Sequence, residues 1–434
     1  MIDMEYWDPI IERMPVTELR ALQERKVRST ISYAYTSSEF YRRLFKNSGV
    51  KPEDIRSLDD MSKLPFTAKK DFRDTYPTGM FCVPKEQIVR YHASSGTTGK
   101  PTLVGYTRDD IFDWTTSLAR GMTSLGIGRG DVLQNSYGYG LFTGGLGFHY
   151  ASEMVGAVTL PTGAGATERQ IEFIQDLGTT IITCTPSYFL HIKESAQNLG
   201  VDFKNTRLKA GMFGAEPWSE NMRKRIEDAG IKAYDVFGTS ELSGPVFSEC
   251  HCQSGIHAWA DLFLLEIIDP KTGETLGNEE QGELVVTSLS KEALPLIRYR
   301  VGDLTVLNSE VCECGRTHPR LMRIQGRVDD MLIIRGINVF PSQIESVLMR
   351  VPEVGDNYQL IVDRVHELDT MKVRVEVAKA RTGDETNELL ALKKKICHML
   401  RTTLNIDVDV EFVELGTIPR SMGKAKRVVD NRRL

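Results

Sequence analysis

Between about residues 90 and 240, short apolar runs alternate with amphipathic stretches at regular intervals, and this alternation limits the fold more than any other feature of the chain. Strands interleaved with helical patterns signal βα units feeding a parallel sheet, because a crossover helix is what lets consecutive strands run the same way. Thr107-Arg-Asp-Asp110 resembles a capping box, and Ile111, Trp114, Leu118, Met122 and Leu125 then recur at three- and four-residue steps, which predicts a helix with one buried face. Thr180 to Thr185 reads as a buried strand, Pro186 opens a helix from Ser187 to Asn198, and Gly200 stops it. Leu208 to Phe213, Trp218 to Ala229 and Ile231 to Val236 repeat the order strand, helix, strand.

The helical period disappears between about 260 and 310, where Leu262 to Ile268, Gly282 to Thr287 and Leu296 to Leu307 read as strands joined by turns such as Asp269-Pro-Lys-Thr-Gly273. This predicts a β subdomain. Beyond residue 329 mixed elements return, with helices at Ser342 to Arg350 and Thr386 to Thr402 and strands at Gln359 to Val362 and Met371 to Val377. The expected architecture is therefore α/β: a large N-terminal domain over 1–328 with parallel α/β sheets plus the β subdomain, and a small α+β C-terminal domain over 329–434.

Composition narrows the function. Lys plus Arg number 54 against 59 Asp plus Glu, a net charge of -5 with no long basic run, so no nucleic-acid partner is expected. The opening Met1 to Asp8 carries no apolar signal core and no stretch approaches the length of a membrane span, so a cytoplasmic enzyme with no membrane partner is expected. Seven cysteines suit a reducing compartment better than a disulfide framework, and four of them form two pairs, Cys250 with Cys252 and Cys312 with Cys314, flanking a segment with His251 and His257. These six soft or borderline ligands exceed the four a closed Zn²⁺ site needs, so two are spare; reduced, buried cysteines are the alternative reading.

The segment Ser94-Ser-Gly-Thr-Thr-Gly-Lys-Pro101 packs hydroxyls, two glycines and a lysine into eight residues, many donors for phosphate oxygens on a backbone that tolerates close approach. It is not a Walker A loop, since only two residues separate its glycines and Pro101 follows the lysine. A plain surface turn is the alternative. The loop resembles the phosphate-binding signature of the adenylate-forming superfamily. Four further motifs resemble that superfamily in its order: Phe237-Gly-Thr-Ser-Glu241, Tyr299-Arg-Val-Gly-Asp303, Gly326-Arg-Val-Asp-Asp330 and Pro419-Arg-Ser-Met-Gly-Lys424. Within it, Ser136-Tyr-Gly-Tyr-Gly-Leu-Phe-Thr-Gly-Gly145, Lys291-Glu-Ala-Leu-Pro-Leu-Ile-Arg-Tyr-Arg300 and Met331-Leu-Ile-Ile-Arg-Gly-Ile-Asn-Val-Phe-Pro341 are similar to phenylacetate-CoA ligases, over nearly the whole chain.

The resemblance implies the adenylate-forming fold with a mobile C-terminal domain, and ATP-dependent ligation of an arylacetic acid to coenzyme A through an acyl-adenylate. Adenylylation of a hydroxyl-bearing cofactor on the same fold is the alternative activity. It implies that Ser94, Ser95, Gly96, Thr97, Thr98, Gly99 and Lys100 hold phosphates, that Glu241 binds Mg²⁺, and that Gly214, Ala215, Glu216, Pro217, Asp235, Val236, Phe237, Gly238 and Thr239 cradle the adenine, just past the ends of two strands. Asp303 with Arg327 takes the ribose, Asp329 is the hinge, Lys424 serves adenylation, and Arg335 and Gly336 meet the coenzyme A arm; a strand bulge is the plainer reading of Gly336. Tyr137 and Phe142, with Ala215, are expected against the acid, although aromatic residues near glycines also serve plain packing. Relatives with cysteines at these positions match Cys250, His257, Cys312 and Cys314, which makes those four the expected structural Zn²⁺ ligands. A homodimer is the expected assembly.

Overall fold

The computed structural model describes residues 6–94, 101–141, 143–328, 330–335, 337–365, 368–377, 385–420 and 425–432. Thr107 accepts from the Asp110 amide while Asp110 accepts from the Thr107 amide, and this reciprocal cap starts the helix Arg108–Ser124, whose buried face carries Trp114, Leu118 and Met122 as the spacing predicts. Thr185 caps the helix Pro186–Asn198 in the same way, by accepting from the Tyr188 amide.

Strands Val158–Leu160, Val132–Asn135, Ile181–Cys184, Ala210–Phe213 and Lys232–Thr239 lie side by side in that order and pair in parallel, joined by crossover helices. The direction then reverses. Lys232–Thr239 pairs antiparallel with Gly244–Glu249, and the sheet continues without a break through Ile256–His257, Arg320–Leu321, Tyr299–Asn308, Gln281–Ser288 and Phe263–Ile268. The β region is thus the antiparallel half of the same sheet. The strand expected from Leu296 begins instead at Tyr299, because Arg298 just before it has φ of 44°, which breaks the extended backbone.

The long helix Val16–Ser37 lies across this antiparallel half, with Gln23, Lys26 and Thr30 donating to the carbonyls of Phe263, Asp261 and Leu289. A separate hairpin pairs Arg90–Ala93 with Leu103–Tyr106, and the Ser94 amide donates to the Thr102 carbonyl where the two strands lead into the Gly-rich segment.

After Gly326–Arg327, which pairs with the large sheet, come the hairpin Leu332–Ile334 with Ile337–Val339, the helix Pro341–Leu348, and a four-stranded sheet ordered Asp409–Glu414, Leu368–Val377, Val354–Val365, Val428–Asp430 with the helix Glu385–Leu404. One buried cluster holds Phe213, Trp218, Met222 and Ile226 of the α/β part together with Ile344, Val347 and Leu348 of this C-terminal part. Among the described residues no helix is long and apolar enough to cross a membrane.

Candidate active site

The site gathers where the sheet changes from parallel to antiparallel. Strand Lys232–Thr239 runs three residues beyond the expected end at Val236, so Phe237, Gly238 and Thr239 stand inside it rather than past its end. Glycine is required at this point because a Cβ on Gly238 would lie 1.7 Å from the Gly244 carbonyl oxygen. Gly214 is under the same constraint, with a Cβ position 2.2 Å from the carbonyl oxygen of Val236.

Glu241 follows in the short turn Ser240–Leu242 and is buried. Thr102 donates from Oγ1 to Glu241 Oε1 at 3.1 Å, and Ser94 Oγ contacts the same Thr102 hydroxyl. Behind the carboxylate, Lys291 Nζ donates to the Glu241 backbone carbonyl at 2.7 Å and lies over the Tyr106 ring, 5.3 Å from its centroid. Burial pushes the Lys291 ammonium down to about 8, against the opposing pull of Asp110 and Glu241. The base of the Gly-rich segment and Glu241 are therefore tied into one unit. Residues 95–100 of that segment lie outside the described residues.

Asp303 and Arg327 face each other across two paired strands, with Arg327 donating to Asp303 Oδ2 at 2.9 Å and to the Val301 carbonyl at 3.3 Å. Asp235 has a different neighbourhood: Arg323 donates to its Oδ2 at 3.4 Å, its amide donates to Glu249, and burial raises its carboxyl to about 7 while Arg323 opposes the rise. Val236 and Phe237 are buried, Phe237 stacking on Phe247 with centroids 6.4 Å apart.

Ala215 is exposed with φ of 71°, the left-handed region. Next to it, Glu216 accepts from the Ser187 amide at 2.8 Å and from the Ala425 amide at 3.0 Å, so one carboxylate spans the helix Pro186–Asn198 and the residue after Lys424. Four residues before Lys424, Arg420 donates to buried Glu376 at 2.7 Å and to Glu194 of the helix Pro186–Asn198 at 3.2 Å. Lys424 itself lies outside the described residues, as do Asp329, Gly336 and Phe142. Tyr137 is buried and stacks on Phe148 with centroids 5.4 Å apart. Arg335 is exposed, with φ of 51°, and its Nε donates to the Asp369 carbonyl at 2.9 Å.

Cys250, His257, Cys312 and Cys314 are all buried, and their ligand atoms lie within 4.8 Å of one another. The sulfurs of Cys250 and Cys312 are 3.8 Å apart, and Cys314 Sγ is 3.5 Å from His257 Nε2. Cys252, only partly buried, and His251, whose Nδ1 sits 3.3 Å from the Ser124 carbonyl, are the two spare groups. Thr102 and Lys291 are not singled out by the sequence; Lys291 opens the segment Lys291 to Arg300, but nothing there pairs it with a residue fifty positions away.

The AMP-binding enzyme family matches residues 14–290, and its C-terminal domain family matches residues 336–432. A phenylacetate-coenzyme A ligase of Thermus thermophilus is 44% identical over 98% of this chain and 100% of its own length. Among solved structures, 2-hydroxyisobutyryl-CoA ligase in the postadenylation state in complex with R3-HIB-AMP superposes with a TM-score of 0.93 at 30% identity, covering 99% of this chain and 93% of the other. The same enzyme in the thioesterification state in complex with 2-HIB-AMP and CoA covers 100% and 94% at 31% identity, with a TM-score of 0.74. The chain belongs to the phenylacetate-coenzyme A ligase family of AMP-binding enzymes.

Proposed function

We propose that the protein ligates phenylacetate, or a closely related arylacetate, to coenzyme A with ATP, releasing AMP and pyrophosphate. The observation that carries this reading is the likeness to a phenylacetate-coenzyme A ligase over the full length of both chains. A carboxylate acylates poorly because its leaving group would be an oxide. Attack by the acid on the α-phosphate of ATP gives a mixed anhydride and expels pyrophosphate, and attack of the coenzyme A thiolate on the acyl carbon then expels AMP.

The first step brings two anions together, so positioned donors and cations supply most of the help. Ser95 to Lys100 would hold the departing phosphates from a loop whose base Ser94 and Thr102 join to Glu241. Glu241 fits a magnesium ion: Thr102 occupies one carboxylate oxygen and leaves the other without a protein donor among the described residues, a hard ligand for a hard ion. Magnesium, when bound, neutralises charge on the phosphate oxygens. Arg327 holds Asp303 so that its carboxylate can accept from ribose hydroxyls. Gly214 to Pro217 and Asp235 to Thr239 would enclose the adenine with backbone, and Tyr137, Phe142 and Ala215 would serve the acid.

We place the domain boundary at Asp329; pairing of Gly326–Arg327 with the large sheet, and of Leu332–Ile334 with the C-terminal hairpin, supports it. Lys424 would meet the carboxylate and α-phosphate, a role supported by the attachment of both ends of its loop, through Arg420 and Ala425, to the α/β part. The higher TM-score to the postadenylation state than to the thioesterification state supports an arrangement suited to the first half reaction. Arg335 and Gly336 would serve the second.

Zinc fits the cysteine cluster. Zn–S bonds of about 2.3 Å and Zn–N bonds of about 2.0 to 2.1 Å in a tetrahedron require S–S edges of about 3.8 Å and S–N edges of about 3.5 Å. The observed separations of 3.8 and 3.5 Å match those edges. A closed set of four buried ligands would give zinc a structural role.

The test is an acid panel scored for coenzyme A-dependent AMP and thioester formation. Phenylacetate should exceed acetate in kcat/KM on the order of a hundredfold, the worth of burying an aromatic ring. Comparable values, or AMP transferred to a hydroxyl acceptor, would overturn the reading.

A further inference from the structure

Two helices on opposite sides of the proposed boundary terminate each other. The helix Pro341–Leu348 ends at Met349: the Val347 and Leu348 carbonyls accept from the Arg350 and Val351 amides, and the Met349 carbonyl points out at the negative end of the dipole. Arg225, in the last turn of Glu220–Glu227, reaches into that end: Nε donates to the Met349 carbonyl at 3.2 Å, one terminal nitrogen donates to the Val351 carbonyl at 2.9 Å, and the other donates to the Val354 carbonyl at 3.2 Å and to Asp356 Oδ1. In return Glu345, buried on Pro341–Leu348, accepts from the amide of Ser219, the residue that caps Glu220–Glu227. Asn221 adds a bond to the Ser346 carbonyl at 3.0 Å.

We propose that Arg225 is a positioning residue that latches the C-terminal part in the arrangement for adenylation and must release before thioester formation. The inference rests on the ligase reading above. A planar guanidinium with donors fanned in one plane satisfies four acceptors drawn from the end of a helix, the connection after it and the start of the strand Val354–Val365, which an ammonium cannot do. None of the four acceptors belongs to the α/β part, so the contact reports solely on how the two parts are placed. The related 2-hydroxyisobutyryl-CoA ligase, whose postadenylation state superposes closely, departs from this arrangement in its thioesterification state, as the fall in TM-score from 0.93 to 0.74 records. Any such displacement of Pro341–Leu348 from Glu220–Glu227 parts all four bonds together. The latch therefore favours one state without contacting substrate.

The experiment compares wild type with Arg225→Met and Arg225→Lys in two assays. Acid-dependent ATP–pyrophosphate exchange reads the first half reaction; conversion of supplied acyl-adenylate and coenzyme A to thioester reads the second. Arg225→Met should lower exchange about tenfold and leave thioester formation equal or faster, with Arg225→Lys between, since a few charge-assisted bonds net of water are worth about that factor. Small-angle scattering should show the Arg225→Met protein departing from the profile of this arrangement while wild type matches it. A misfolded variant would lose both half reactions, and equal loss in both, or no change in either with an unchanged scattering profile, overturns the latch. A wild type without any acid-dependent exchange would bring down the ligase reading instead, and the scattering comparison would still decide the latch.

Discussion

Lys291 stands directly behind Glu241, its buried ammonium donating to the backbone carbonyl of that residue at 2.7 Å while Thr102 holds the side chain from the front. The residue is thus held at its backbone by Lys291 and at one carboxylate oxygen by Thr102. Removing the ammonium in Lys291→Met leaves a buried carbonyl unpaired, at a cost of about 1–3 kcal/mol, and frees the turn Ser240–Leu242. Acid-dependent pyrophosphate exchange should fall about tenfold or more, and the magnesium concentration for half-maximal exchange should rise. A magnesium titration of exchange checks both; an unchanged titration would separate Lys291 from the metal.

The cysteine cluster predicts one zinc per chain in protein purified without added metal, measured by elemental analysis. Cys312→Ser should lose the metal and destabilise the chain by several kcal/mol, roughly the share one thiolate contributes to a structural site, while kcat of the surviving folded protein changes little. Tyr6 donates to the Cys314 carbonyl and buried Arg316 pairs with buried Glu12, so loosening should spread to the first helical turns, which limited proteolysis can read.

Glu345 predicts a pH dependence. Burial raises its carboxyl to about 7, with Arg427 and the Ser219 hydrogen bonds opposing and Glu216 adding to the rise. A raised folded value means that the folded state holds the proton longer than the unfolded one. Stability from this group is therefore fully present below about 4.5 and is lost as pH climbs through about 7, at most roughly 3 kcal/mol. Denaturant unfolding at pH 5 and pH 8 should show Glu345→Gln losing less stability across that interval than wild type. A wild-type difference no larger than that of the variant would contradict the assignment.

What the sequence revealed was local. Thr107 and Asp110, three residues apart, marked the start of a helix and its cap, and Pro186 marked another, because those signals and their partners fall within one turn. The signature segments likewise gave Asp303 and Arg327 as a pair, and the structure brings them face to face. Thr102, Lys291 and Arg225 escaped notice because their partners lie 139, 50 and 124 or more residues away and only the closed fold brings them together. The length of Lys232–Thr239 was underestimated for a related reason: glycine is a poor strand former, and Gly238 is admitted by the close approach of Gly244 from the next strand. Glu216, expected against adenine, also tethers Ala425, a contact between segments 209 residues apart.

In the proposed reaction the acid passes through an adenylate, and the fate of its oxygens tests this most directly. In that route one carboxylate oxygen becomes the bridge to phosphorus and leaves with AMP when the thiol attacks. Phenylacetate labelled with ¹⁸O in both carboxyl oxygens, converted with ATP and coenzyme A, should yield AMP carrying one ¹⁸O for each phenylacetyl-CoA formed. Unlabelled AMP, or label in inorganic phosphate alongside ADP, would contradict the account.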